Sequence, residues 1–145
     1  MNRILLIDDD IDDAGLFREA LKRVDPSVSL QYFCDGDEAL QDMLEQKNHL
    51  PDIIFLDINM PKTNGWQYLT KFREEQLLKY VPVIMYTTSS EVSDLRKSEE
   101  LGASGLVTKP DDFGQLKKIL TSILAAPIEQ LAKTLQNISG MNSRA

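Results

Sequence analysis

Short apolar runs recur along the chain at 4–7, 30–33, 53–56, 83–86 and 106–107, and each is followed by a longer stretch with helical spacing. The runs are apolar almost throughout, as strands covered on both faces are, and so they read as five buried strands. The stretches 14–24, 38–47, 66–78, 92–101 and 113–124 place apolar residues three and four apart. Leu16/Ala20/Leu21/Val24 and Phe113/Leu116/Leu120/Leu124 show the spacing, which fits helices with one buried stripe. A βα unit repeated five times predicts an α/β fold: a (βα)5 doubly wound, five-stranded parallel sheet whose right-handed crossovers place helices on both faces.

Pro51, Pro61, Pro82, Pro110 and Pro127 punctuate the pattern, and Asn64-Gly65 and Cys34-Asp35-Gly36 carry turn chemistry. Past Leu124 the chain repeats an amphipathic spacing at Ile128, Leu131, Leu135 and Ile138. We therefore expect a main domain over 1–126 and an amphipathic extension over 127–145 with a disordered end, its stripe buried against the domain or against a second copy. Pro127 either kinks a continuing helix or opens a separate one. The end of the chain leaves too little length for a further output domain, so output is expected to pass through a partner.

The 145 residues, 42% of them apolar, suit one core. The net charge of -7 is unevenly placed: residues 1–60 carry 14 acids and 5 bases, and the remainder carries 9 and 11. The single cysteine, Cys34, excludes an internal disulfide and any paired-cysteine metal site. With no signal-peptide pattern, no run of membrane-spanning length and no basic face, the expectation is a cytoplasmic protein without nucleic-acid binding or membrane insertion.

In an open parallel sheet, ligands gather beyond the carboxyl ends of the strands. Four polar clusters fall at that edge: Asp8-Asp9-Asp10 after the first strand, Asp57 at the third, Thr87-Thr88 at the fourth and Lys109 after the fifth. Carboxylates crowded together repel unless a cation compensates, and oxygen donors favour a hard divalent ion such as Mg²⁺. Asp10, Asp12 and Asp13 have another use, since acids at a helix start favour its positive end. Trp66, Phe17, Phe72 and Phe113 read as packing residues, Met60-Pro61 as loop geometry, His49 as a surface or loop residue and Cys34 as a strand-end packing residue.

Over roughly residues 3–124 the sequence resembles the receiver domains of bacterial response regulators, especially the stand-alone, chemotaxis-type members. The resemblance rests on ILLIDDD, IIFLDINMPKTNGW, VPVIMYTTSS and GASGLVTKP. It implies a flavodoxin-like receiver fold. It also implies phosphoryl transfer from a histidine kinase or histidine phosphotransfer protein onto Asp57, with output through a downstream protein or phosphorelay. By position, Asp9 and Asp57 would ligate Mg²⁺ (Mn²⁺ being the alternative) through their carboxylates and Asn59 through its backbone carbonyl, with Asp8 acting mainly through water. Lys109 would meet the phosphoryl oxygens, the Thr87 hydroxyl would accept the activation signal, and Thr88 would contribute its backbone N–H. Metal, fixed cation and carboxylate nucleophile together neutralise charge that develops during phosphoryl transfer.

The resemblance further implies slow self-dephosphorylation rather than conventional enzymatic turnover, and a cis Lys109–Pro110 bond. One departure stands out: the position of Leu106 is aromatic in many receivers. Thr87 is therefore expected to act through backbone and aliphatic repacking around Leu106, with Tyr86 either a participant or a structural residue on the other sheet face. The rival reading is a phosphorylation-independent interaction or scaffold protein on the same fold. A conventional hydrolase has neither a nucleophile elbow nor a Walker loop to support it.

Overall fold

The expected alternation is present as β1 Arg3–Ile7, α1 Ile11–Val24, β2 Ser29–Phe33, α2 Gly36–Glu45, β3 Ile53–Asp57, α3 Gly65–Glu74, β4 Val83–Thr87, α4 Val92–Glu100, β5 Gly105–Thr108 and α5 Phe113–Ala125. The computed structural model describes residues 2–61, 63–89 and 91–142. All strand pairs are parallel, in the order β2-β1-β3-β4-β5. This is the flavodoxin-like doubly wound sheet, and its strand order reverses between β1 and β3, where a crevice opens at the carboxyl edge.

Side chains alternate across the sheet and sort the core into two layers. Leu6, Phe55, Ile84, Tyr86 and Val107 pack with α1 and α5 on one face. Leu5, Ile7, Leu56, Met85 and Leu106 pack with α2, α3 and Leu95 of α4 on the other. The central strands β3 and β4 are buried at every residue, which explains their unbroken apolar runs, whereas β2 lies at the edge and is only partly covered.

Local caps set several helix starts earlier than the apolar stripe alone predicts. Asp10 accepts from the N–H groups of Asp12 and Asp13, and Asp35 accepts from that of Asp37, which starts α1 at Ile11 and α2 at Gly36. Helix α3 ends at Glu74 rather than 78. The Arg73 guanidinium donates to the carbonyls of Leu78, Lys79 and Val81, holding the following segment as a turn that still buries Leu78. At the start of α3, a Cβ on Gly65 would stand 2.3 Å from the Asp57 carbonyl oxygen. The Gly65 N–H donates to Ile58 O at 2.8 Å, so this close approach needs glycine.

Beyond α5 the chain breaks at Pro127, makes a 3-10 turn over Ile128–Gln130 and continues as a separate helix, α6, Leu131–Asn142. Leu131, Leu135 and Ile138 are buried in the same layer as α5. Leu135 lies over Gly105 of β5, whose missing side chain leaves the room: a Cβ there would be 3.0 Å from Leu135. Leu131, Leu135 and Ile138 of the extension thus lie against their own chain while Ile128 is exposed, and the expected disordered end is helical as far as Asn142, its last three residues lying outside the described ones. Among the described residues no helix is long and apolar enough to cross a membrane.

Candidate functional site

The sheet brings the four polar clusters to one edge. Asp8 directly follows β1, Asp57 ends β3, Thr87 ends β4 and Lys109 follows β5. Asp8 and Asp57 are buried and Asp9 is exposed, and ligand oxygens of the three carboxylates lie within 4.8 Å of one another. The backbone orients them: Asp8 Oδ1 accepts from the Asp10 N–H at 2.9 Å, and Asp57 Oδ1 accepts from the Asn59 N–H at 3.2 Å. Tyr32 supports the first loop from below, its hydroxyl donating to Asp8 O at 2.7 Å.

Lys109 enters from the far side of the sheet. Its Nζ stands 2.9 Å from Asp8 Oδ2, 2.9 Å from Asp13 Oδ2 and 3.7 Å from Asp57 Oδ2, and its side chain is only 9% exposed. The Asp13 contact is also a directed hydrogen bond. Asp8 Oδ2 is buried, and its charge is met by the Lys109 ammonium at the same distance. The Tyr86 ring lies beneath the ammonium, 5.5 Å from Nζ to centroid.

Burial pushes the Asp57 carboxyl from 3.8 up to about 7, with Lys109 pulling it down and the Asp8 charge adding to the rise. Burial would lower Lys109, but the pull of Asp13, then Asp8 and Asp57, outweighs it and raises the ammonium above its ordinary value. Burial likewise raises the Tyr86 phenol. The site therefore holds more anionic groups than its one lysine compensates. The grouped Asp8, Asp9 and Asp57 carboxylates, two of them buried beside a single lysine, fit a hard divalent cation.

The structure corrects further sequence readings: Leu16, expected in the buried stripe of α1, is exposed, and Phe17 is buried in its place. Peptide bonds of the described residues are all trans, so the expected cis Lys109–Pro110 bond is not present. Trans is the lower-energy isomer by about 0.5–1 kcal/mol, and Lys109 is aimed by other means. Its N–H donates to Thr87 O at 2.6 Å and its ammonium is caught by the carboxylates. Cys34 is exposed rather than packed, because it sits in the bend after edge strand β2.

Thr87 is buried, and its Oγ1 accepts from the Ser89 N–H at 3.2 Å, while Thr88 is exposed. Ser89 carries three further links: its Oγ donates to Asp94 Oδ2 in α4 at 2.5 Å and accepts from the Glu91 N–H at 3.2 Å, and its carbonyl accepts from Thr108 Oγ1 of β5 at 3.0 Å. Leu106 lies buried in the α3/α4 layer. Tyr86 instead packs edge-on to Phe17 and Phe55 in the opposite layer. Trp66 is half-buried with Lys97 over its ring at 5.0 Å, and His49 is exposed on a loop. The sequence reading missed Asp13 as a Lys109 partner and Ser89, Asp94 and Thr108 as the β4–α4 link. For Asp13 the signal was an extra acid in the first turn of the helix that starts at the site.

The chain matches the response regulator receiver domain over residues 4–121. It is 32% identical over 124 residues to response regulator Rcp1 of Synechocystis sp. (strain ATCC 27184 / PCC 6803 / Kazusa), covering 83% of this chain and 84% of that protein. The crystal structure of the phosphorylated cyanobacterial phytochrome response regulator RcpA is 29% identical, with a TM-score of 0.75 over 84% of this chain and 90% of that one. Transcriptional regulatory protein CiaR of Streptococcus pneumoniae (strain ATCC BAA-255 / R6) is 32% identical over 86% of this chain, which spans only 52% of CiaR. With its parallel sheet order and its acidic edge, the chain belongs to the response regulator receiver domain family.

Proposed function

We propose that this chain is a stand-alone, chemotaxis-type receiver that accepts a phosphoryl group on Asp57 and signals through protein–protein contact or phosphorelay. A receiver domain is a phosphoryl acceptor in a signalling pathway and not a conventional turnover enzyme. The observation that carries the reading is the buried Asp57 carboxylate, grouped with Asp8 and Asp9 and faced by Lys109. In this reading residues 1–126 form the receiver unit, 127–145 are an extension whose buried stripe of Leu131, Leu135 and Ile138 packs onto it, and the protein works in the cytoplasm.

An Asp57 oxygen attacks the phosphorus of a phosphohistidine on a histidine kinase or phosphotransfer protein. An O–P bond forms as the N–P bond breaks, and the imidazole leaves with the bonding electron pair. Ionised Asp57 needs no protein base for this step. Lys109 supplies a fixed positive charge for the phosphoryl oxygens, and the Thr87 hydroxyl and the Thr88 N–H supply donors from β4. Asp8, Asp9, Asp57 and the Asn59 carbonyl are the groups that would hold Mg²⁺ or Mn²⁺, with Asp8 acting mainly through water. When bound, the ion offsets the charge of the carboxylates and of the transferred group. The phosphorylated state of RcpA, in a fold similar to this one, supports the assignment.

Output runs from Thr87 through Ser89 to α4, with Leu106 repacking as the loop moves, while Tyr86 belongs to the opposite layer and supports Lys109. Incubation with Mg²⁺ and a small acyl phosphate, followed by intact mass measurement, tests the whole reading. One added phosphoryl group on the natural chain and none on Asp57→Asn is expected. No adduct under conditions that modify another receiver favours a phosphorylation-independent scaffold instead.

A further inference from the structure

We propose that Asp13 is a positioning residue for phosphoryl transfer, anchoring the Lys109 ammonium by a contact that cation binding leaves in place. The inference rests on the reading of Asp57 as phosphoacceptor.

An ammonium has three N–H donors, and three carboxylates surround this one. They are not equivalent. Asp8 and Asp57 belong to the group of carboxylates able to hold a cation, and Asp13 does not. A cation among Asp8, Asp9 and Asp57 draws on their negative charge and weakens their hold on Lys109, while the Asp13 carboxylate keeps the lysine as its partner. The 2.9 Å contact between Asp13 Oδ2 and Nζ is a hydrogen bond between charged groups. Charge-assisted bonds of this kind are the stronger ones and fix geometry as well as charge.

The anchor is itself held. Asp13 sits in the first turn of α1, and its own N–H donates to the capping carboxylate of Asp10 at 3.1 Å. The Tyr86 ring closes another side of the ammonium at 5.5 Å. Lys109 is thus pinned by α1 and supported by β4, and its remaining donors are free to face Asp57 and the oxygens added to it. Asp13 touches no reacting atom in this arrangement and acts through Lys109.

The test compares Asp13→Ala, Asp13→Asn and Asp12→Asn in the full chain, measuring phosphorylation by a small acyl phosphate at saturating Mg²⁺, so that any change in cation affinity drops out. Asp12 is exposed in the same helical turn and removes the same charge without contacting Lys109. Asp13→Ala is expected to slow phosphorylation about tenfold, the scale of one lost hydrogen bond to a charged group. Asp13→Asn, which keeps an acceptor oxygen, recovers part of the rate, and Asp12→Asn stays within about twofold, as surface charge changes generally do. A rate unchanged in Asp13→Ala, or an equal loss in Asp12→Asn, overturns the anchor while leaving Asp57 as acceptor. Absence of phosphorylation in the natural chain overturns the acceptor reading and the anchor with it.

Discussion

Helices α4 and α6 both flank β5, yet they are held by different means. Helix α6 buries Leu131, Leu135 and Ile138 in the layer shared with α5 and Val107. Helix α4 has Ser98 as its one fully buried residue among those described, with Leu95 and Leu101 partly covered. Its start has no side-chain cap; a loop link, Ser89 to Asp94, stands in for one. A fully buried leucine or isoleucine contributes about 1.5–3 kcal/mol, so one side of β5 is stabilised by apolar area and the other by a few polar contacts. Segments with little buried apolar area open first, and under the proposed function that side is the one that carries the signal away from Thr87.

The sharpest way to break this comparison is to delete matched leucines. Leu135→Ala is expected to cost about 2–5 kcal/mol in urea unfolding, and Leu95→Ala less than about 1.5 kcal/mol, since a half-buried side chain has less to lose. Equal losses would mean that α4 is as firmly seated as α6.

The next effect is electrostatic and lies at the seam, on Asp57. Its folded-state value near 7 exceeds the ordinary 3.8, so the folded protein binds this proton more tightly than the unfolded chain does. Without metal, stability from this group is present at low pH and is lost as pH rises from about 4 to about 7. Asp57→Asn cannot ionise, and in chelator at pH 8 it should exceed the natural chain in stability by about 1–3 kcal/mol, a gain that shrinks at pH 5. Urea titrations at the two pH values check the sign.

A smaller change sharpens the contrast. Ser89→Ala removes the bond to Asp94 and should cost about 0.5–1.5 kcal/mol. Hydrogen exchange should then quicken across α4 while α6 amides keep their rates. Smallest of all, Val92→Ser on the exposed start of α4 should shift stability by no more than about 0.5 kcal/mol in either direction.

The fold was legible because β1, β3 and β4 are apolar at nearly every position, and only a parallel sheet covered on both faces explains such runs. The site was legible for a related reason: strand ends predict an edge, and Asp8, Asp57, Thr87 and Lys109 occupy strand ends. Partners across that edge were not legible. Asp13 meets Lys109 from 96 positions away, and no local pattern separates an acid that caps a helix from one that reaches across a crevice. Helix α3 was read four residues too long because Leu77 and Leu78 continue its stripe, and the grip of Arg73 on three carbonyls five to eight residues ahead leaves no mark in the apolar pattern.

Gly65 gives the site a mechanical asymmetry. With the start of α3 pressed onto the Asp57 carbonyl and tied to Ile58, α3 and the acceptor strand form the fixed jaw of a vice. The softer jaw is the loop after β4, held by hydrogen bonds of Thr87 to Ser89 and of Ser89 to Asp94 and Thr108. Under the proposed function, a group added to Asp57 meets a rigid wall on the α3 side and hydrogen bonds that can exchange partners on the other.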